Sequence, residues 1–249
     1  MLKKPLKTRR SMIKYKKGVS MAYNISTMHI WRLFNGDCEC PMCKLKQKTE
    51  NDICELYLSE AVMEDAERAK VNKYGFCKEH YDLLYSGRNK LGLALQSNTR
   101  LKTLDKLIKP VDVKSAVKTA KKLREEISGC IICDRIEYNM KRYFETVARL
   151  YGDDDRFRKQ FCSIKGFCYP DYVRLVENAP KAGKYAKEFL EVLYQKQKES
   201  AEEVLKNLED FAFAFDYRSS SLPSKTASQA LLQTRVKFYG EKPVVPERK

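Results

Sequence analysis

Histidine is nearly absent from this sequence, with two in 249 residues, and tryptophan occurs once. General acid–base catalysis near neutral pH falls most often to histidine, whose unperturbed pKa of about 6.5 suits it to the task. A catalytic centre here would have to be assembled from carboxylates that look like ordinary helix-surface charges. Three further absences narrow the field: the chain has no GxxxxGK[ST] phosphate loop, no HExxH helix and no GxSxG elbow. Phosphate-cradling, zinc-hydrolase and serine-hydrolase chemistries therefore have no visible footing, and a non-enzymatic role is expected. No apolar run approaches the roughly 18 to 20 residues of a membrane-spanning helix. The N-terminus lacks the apolar stretch of a secretory signal, so a cytoplasmic location is expected.

Acidic residues are missing from the first twenty positions, which carry eight Lys or Arg (Lys3, Lys4, Lys7, Arg9, Arg10, Lys14, Lys16 and Lys17). The formal net charge of +16 thus falls to +8 over residues 21–249, an excess of the size that keeps a protein soluble. Residues 1–20 are a basic extension, read either as a flexible arm or, with translation starting at Met21, as a segment outside the mature protein. Mass spectrometry of the native N-terminus is expected to find MAYNIST first.

Cysteine is abundant by contrast, with nine in the chain. In a cytoplasmic protein they point away from disulfides and towards metal. CPMC carries Cys40 and Cys43 and is followed, after 33 intervening residues, by Cys77 and His80 of GFCKEH. CIIC carries Cys130 and Cys133 and is followed, after 34, by Cys168 and Asp171 of GFCYPD. GFCKEHYDLL and GFCYPDYVRL agree at five of ten positions, which argues for an internal duplication. Segments follow: the extension 1–20, a first metal-binding helical repeat 21–109, a connector helix with a second, degenerate repeat 110–182, and a long C-terminal helix and tail 183–249.

Apolar spacing predicts an all-α fold. Ile132, Ile136, Met140, Tyr143, Val147 and Tyr151 recur at steps of three and four, and Ile53, Leu56, Tyr57 and Ala61 share one face. A helix over 134–151 is about 27 Å long, so the chain must return for Cys168 to share a metal with Cys133. GDDD at 152–155 supplies the turn and an N-cap for a return helix through Cys162. Each half is therefore expected to be an antiparallel helical hairpin clamped by its own metal, with a third helix opening at GFC. The connector predicts one stripe through Leu91, Leu95, Asn98, Leu101, Leu104 and Ile108. A second helix, capped by Asp112, would turn Val113, Val117, Ala120, Leu123 and Ile127 inward and Lys114, Lys118, Lys121 and Lys122 outward. A long helix is expected after Gly183, striped by Phe189, Leu193, Val204, Leu208, Phe211 and Phe215, then a loop from Tyr217 and a disordered PVVPERK tail.

Cys40, Cys43, Cys77 and His80 form a Cys3His set with the spacing of a closed structural zinc site. A redox CxxC pair is the competing reading, but such pairs normally lie between a strand and a helix. An iron–sulfur cluster could use the same thiolates, and His80 favours zinc over it. The second set is Cys130, Cys133 and Cys168 with Asp171, or with Cys162 in place of the aspartate; alternatively its thiols hold no metal and pack as hydrophobes. One zinc is expected and the second is open. Cys38 is expected to be a free surface thiol and Cys54 a core residue.

These motifs resemble a family of bacterial proteins of unknown function, mostly from Gram-positive anaerobes, built on a twice-repeated CPxC…GFCxxH pattern. The similarity runs from Met21 to about Ala230 through MAYNIST, CPMC, VNKYGFCKEH, RNKLGLAL, CIICDRIE, KGFCYPDY and FAFAFDYR. It implies an intracellular helical protein with paired Cys/His clusters and no established activity. The chain departs from the pattern at Asp171, where the family's second motif usually has histidine. A zinc-stabilised scaffold binding another protein is the leading expectation. A nucleic-acid-binding protein using Lys114, Lys118, Lys121 and Lys122 is the alternative, and a thiol redox or metal sensor the third.

Overall fold

The computed structural model describes residues 25–34, 38–215 and 224–241. The basic extension, most of the loop expected after Tyr217 and the PVVPERK tail lie outside the described residues. Thirteen α-helices and one short 3-10 segment make up the described chain, and no strand occurs among those residues. The expected all-α class holds.

Two helices organise the rest: α2 (Pro41–Leu58) and α8 (Ile131–Asp153), which pack on each other. Before them comes α1 (Ile25–Leu33). Between them run α3 (Glu60–Met63), α4 (Asp65–Tyr74), α5 (Lys78–Ser86), α6 (Lys90–Asp105) and α7 (Ala116–Ile127). After α8 come α9 (Asp155–Cys162), α10 (Tyr169–Asn178), a 3-10 turn (Ala179–Tyr185), α11 (Ala186–Ala214), α12 (Lys225–Ser228) and α13 (Ala230–Tyr239). All six residues of the α8 stripe are buried, as their spacing requires. Asp154 caps α9 by accepting a hydrogen bond from the Arg156 amide, so the GDDD turn works as read.

The core centres on Phe161 of the return helix, whose ring lies 5.2 Å from Phe189, 5.3 Å from Tyr151, 5.8 Å from Phe167 and 5.9 Å from Phe34. All five side chains are essentially inaccessible. The long C-terminal helix buries Phe189, Leu193 and Val204, but its far end is open, with Phe215 70% exposed. There α12 and α13 fold back along α11, a return that the expected loop did not anticipate.

The connector differs most from its sequence reading. Asp112 does accept hydrogen bonds from the Ser115 amide and hydroxyl just before α7. Yet α7 buries nothing: Val113 is 93% and Val117 84% exposed, and Ile127 is also exposed. On α6, Leu91, Leu95 and Leu101 are exposed, as is Ile108 beyond it. Amphipathic spacing shows that a helix has an apolar face, not that the same chain covers it.

Phe161→Ala is expected to destabilise the protein by about 3–5 kcal/mol, since it empties the centre of a packed aromatic cluster. Chemical denaturation followed by circular dichroism measures this, and a loss below about 1 kcal/mol would contradict the packing described.

Candidate metal centres

The first cysteine of each motif opens a helix. Cys40 and Cys130 are N-caps of α2 and α8 with nearly the same backbone angles (φ −150°, ψ 106° and φ −151°, ψ 111°). Cys77 and Cys168 cap α5 and α10, again alike (φ −71°, ψ 167° and φ −70°, ψ 155°). Three residues on, at the third helical position, stand Cys43, Cys133, His80 and Asp171. CxxC, CxxH and CxxD are thus one device, in which the cap and the first turn of a helix aim two donors at one point. None of the four caps bonds its own helix amides through the side chain. The thiols face their neighbours, and the positive end of each helix favours their thiolate form.

The eight donors fall into two groups, within each of which the ligand atoms lie within 4.8 Å of one another: Cys77, His80, Cys130 and Cys133, and Cys40, Cys43, Cys168 and Asp171. The expected partition is corrected here. Each CxxC meets the GFC motif of the other segment, so both clusters join residues 21–109 to residues 110–182. The chain path explains why. After α6 and α7, residues 129–131 run directly against the end of α4: the Ile131 amide donates to the Gly75 carbonyl at 3.1 Å. A Cβ on Gly129 would lie 2.7 Å from the Tyr74 carbonyl oxygen, so this close approach requires glycine. Cys130 is thereby set beside Cys77. Cys162 is exposed and joins neither group, which removes it as a substitute ligand. Cys38 is half-buried, and Cys54 is a partly buried α2 thiol whose pKa burial pushes up to about 12.

In the first cluster His80 Nδ1 lies 3.1 Å from Cys77 Sγ and 3.3 Å from both Cys130 Sγ and Cys133 Sγ, while Cys77 Sγ and Cys133 Sγ are 3.8 Å apart. In the second, Cys168 Sγ is 3.9 Å from Cys40 Sγ and 3.6 Å from Cys43 Sγ; Asp171 Oδ2 is 3.3 Å from each of the CPMC sulfurs. A tetrahedron with metal–sulfur bonds of about 2.3 Å has sulfur–sulfur edges of about 3.8 Å, so the donors stand where one shared cation fits.

The surroundings of the two clusters differ. His80 is buried, and its Nε2 lies 2.9 Å from the carboxylate of Glu50, itself buried in the middle of α2. A carboxylate on the far ring nitrogen fixes the tautomer that leaves Nδ1 free to ligate. Burial opposes the His80 imidazolium, but hydrogen bonds to Cys130 and Glu50 outweigh it and raise the pKa to about 10. Burial also opposes the Cys130 thiolate, yet the His80 contact and backbone amides bring its pKa down to about 6. In the second cluster, hydrogen bonds from Cys168 and Cys40 hold Cys43 as thiolate, with a pKa of about 2, while burial drives Cys40 up. Asp171 rises to about 6, first through burial and then through the Cys43 charge.

Sequence reasoning missed three contributors. Glu50 sits ten residues past Cys40, where the second segment has Met140 ten past Cys130; a buried acid on an apolar helix face was the available signal. The Glu241 amide donates to Cys43 Sγ at 3.4 Å, and Lys237 is buried nearby, bonding the Phe167 carbonyl at 3.2 Å. Nothing local in the sequence links 237–241 to position 43.

A family model described as a family of unknown function (DUF6062) matches residues 21–244. No curated protein and no solved structure matches the chain.

Mild oxidation of metal-stripped protein, followed by peptide mapping, is expected to link Cys40 or Cys43 to Cys168, and Cys77 to Cys130 or Cys133. Links between Cys40 and Cys77 would contradict the observed partition.

Proposed function

We propose that this chain, which belongs to the family of unknown function DUF6062, is a non-enzymatic interaction scaffold whose two segments are held together by two structural zinc ions. The observation that carries the reading is the exchange of donors between segments, with four donors in each cluster at tetrahedral spacing. Three thiolates with one imidazole or carboxylate suit zinc, and a site whose four positions are all filled by protein leaves none for a substrate. Zinc taken up there contributes directly to folding free energy, because ligands far apart in the chain meet only in the folded state.

A protein partner is supported by the apolar surface that the connector leaves open. A groove of about 510 Å³ beside the first cluster is lined by Tyr74, Phe76, Leu101, Leu104 and Ile127 among others. Leu101 and Ile127 are 68% and 63% exposed. Exposed apolar side chains gathered in one groove mark interaction surfaces more often than chance.

A second reading, nucleic-acid binding, draws on a different groove. Lys106, Lys109, Lys118 and Lys122 line a hollow of about 420 Å³ with Leu107, Val111 and Leu123 on its walls. Lys114 and Lys121 stand exposed on the same connector. Binding by these lysines would weaken steeply with salt.

Elemental analysis of the purified protein is expected to find two zinc ions per chain, falling to one in His80→Ala and to one in Asp171→Ala. Glu50→Gln should retain the fold but lose zinc from the first cluster about 10- to 100-fold more readily to a chelator. A wild-type chain that takes up no zinc would end this reading. For the partner, Leu101→Asp with Ile127→Asp is expected to abolish protein capture, while Lys118→Glu with Lys122→Glu leaves it intact. The reverse pattern, with salt-sensitive binding of RNA or DNA, would favour the second reading.

A further inference from the structure

The two clusters differ in charge, and the surroundings differ in the opposite sense. Three thiolates and a neutral imidazole around a divalent cation leave one negative charge; three thiolates and a carboxylate leave two. Behind the first cluster stands an acid, Glu50, 2.9 Å from His80. Behind the second stands a lysine.

Lys237 lies on α13, about seventy residues beyond Cys168, and is only 3% exposed. Its ammonium donates to the Phe167 carbonyl at 3.2 Å, one residue before Cys168, and to the Ser200 hydroxyl on α11. Burial lowers its pKa from the ordinary lysine value, and the nearby negative charges of Glu39, Cys40, Cys168 and Glu203 work against that shift in favour of the ammonium. Glu39 and Glu203 flank it from α2's approach and α11, but neither is buried, so water screens both. Cys40 and Cys168 are buried, so negative charge on their sulfurs is far less screened. The same segment reaches the cluster a second time: past Gly240, at φ 80°, the Glu241 amide donates to Cys43 Sγ at 3.4 Å, and Lys44 pairs with the Glu241 carboxylate at 2.5 Å. A Cβ on Gly240 would stand 3.0 Å from Cys43 Sγ, which shows how closely this backbone covers the site.

We infer that Lys237 is the counter-charge of the second cluster, the group that lets a Cys3Asp set hold a divalent cation in a buried position where the first cluster uses Cys3His. The lysine acts as a positioning residue: it offsets the additional negative charge that Asp171 brings, which burial would otherwise make costly. The inference rests on both clusters binding zinc.

The test follows zinc release from the full-length, zinc-loaded chain to a chromophoric chelator, with the second cluster's release identified as the phase that Asp171→Ala removes. Lys237→Gln keeps an N–H donor for the Phe167 carbonyl but not the charge. It is expected to speed the second-cluster phase about tenfold or more and leave the first-cluster phase unchanged. In an Asp171→His background, which carries one negative charge less, the same Lys237→Gln change is expected to have less than about a third of that effect. A wild-type chain with fewer than two zinc ions overturns the reading of the clusters and this inference with it. Two zinc ions with Lys237→Gln releasing as wild type overturn the inference alone, and so does an undiminished effect beside histidine, which would mark packing rather than charge.

Discussion

Four helix starts converge on two points, and the architecture depends on that convergence. Each of α2, α5, α8 and α10 offers a thiol at its cap and a second donor one turn later, with the positive end of the helix behind both. Because each CxxC meets the GFC motif of the other segment, neither cluster can assemble while the segments are apart. A clamp within one hairpin would stabilise that hairpin only. A clamp between segments orients α2 against α8 and with them the core between.

Helix α2 shows how tightly the two clusters are tied. Its first turn gives Cys40 and Cys43 to one cluster, and its middle sends Glu50 to His80 of the other. The corresponding stretch of α8 opens with Cys130 and Cys133 but carries Met140, almost fully buried, where α2 carries the acid. The histidine and its carboxylate are thus present together in one segment and replaced together in the other. Without an imidazole whose far nitrogen needs an acceptor, a buried acid there would be an uncompensated charge. The second cluster is instead approached by groups of opposite character from the C-terminal return: the Glu241 amide donates to Cys43 Sγ, and the buried Lys237 bonds the Phe167 carbonyl beside Cys168.

What the core between the two clusters leaves over is the connector. Of its helices α7 is amphipathic, yet most of the apolar side chains of α6 and α7 meet solvent, including Leu91, Leu101, Val117 and Ile127. The polar anchoring of this region is specific all the same: Arg100 donates to the Asn72 carbonyl at 2.6 Å, and Gln96 to the Tyr57 carbonyl at 2.6 Å. The connector is thus held in place by such bonds while its apolar residues stay uncovered.

The all-α class, the core stripe of α8, the turn at Asp154 and the donor types were legible in the sequence, because each follows from spacing of a few residues: period 3.6, a capping carboxylate, two donors one turn apart. The need for the chain to return to a metal was legible too, from the length of α8. Which CxxC meets which GFC was not, because reach alone permits either pairing when two segments share the same spacings. Only the backbone contact of Ile131 with Gly75, possible beside a glycine at 129, decides it. The exposure of α7, the acid behind His80 and the lysine near Cys168 are likewise tertiary facts. Burial depends on what the rest of the chain brings up against a face, and no local pattern records that.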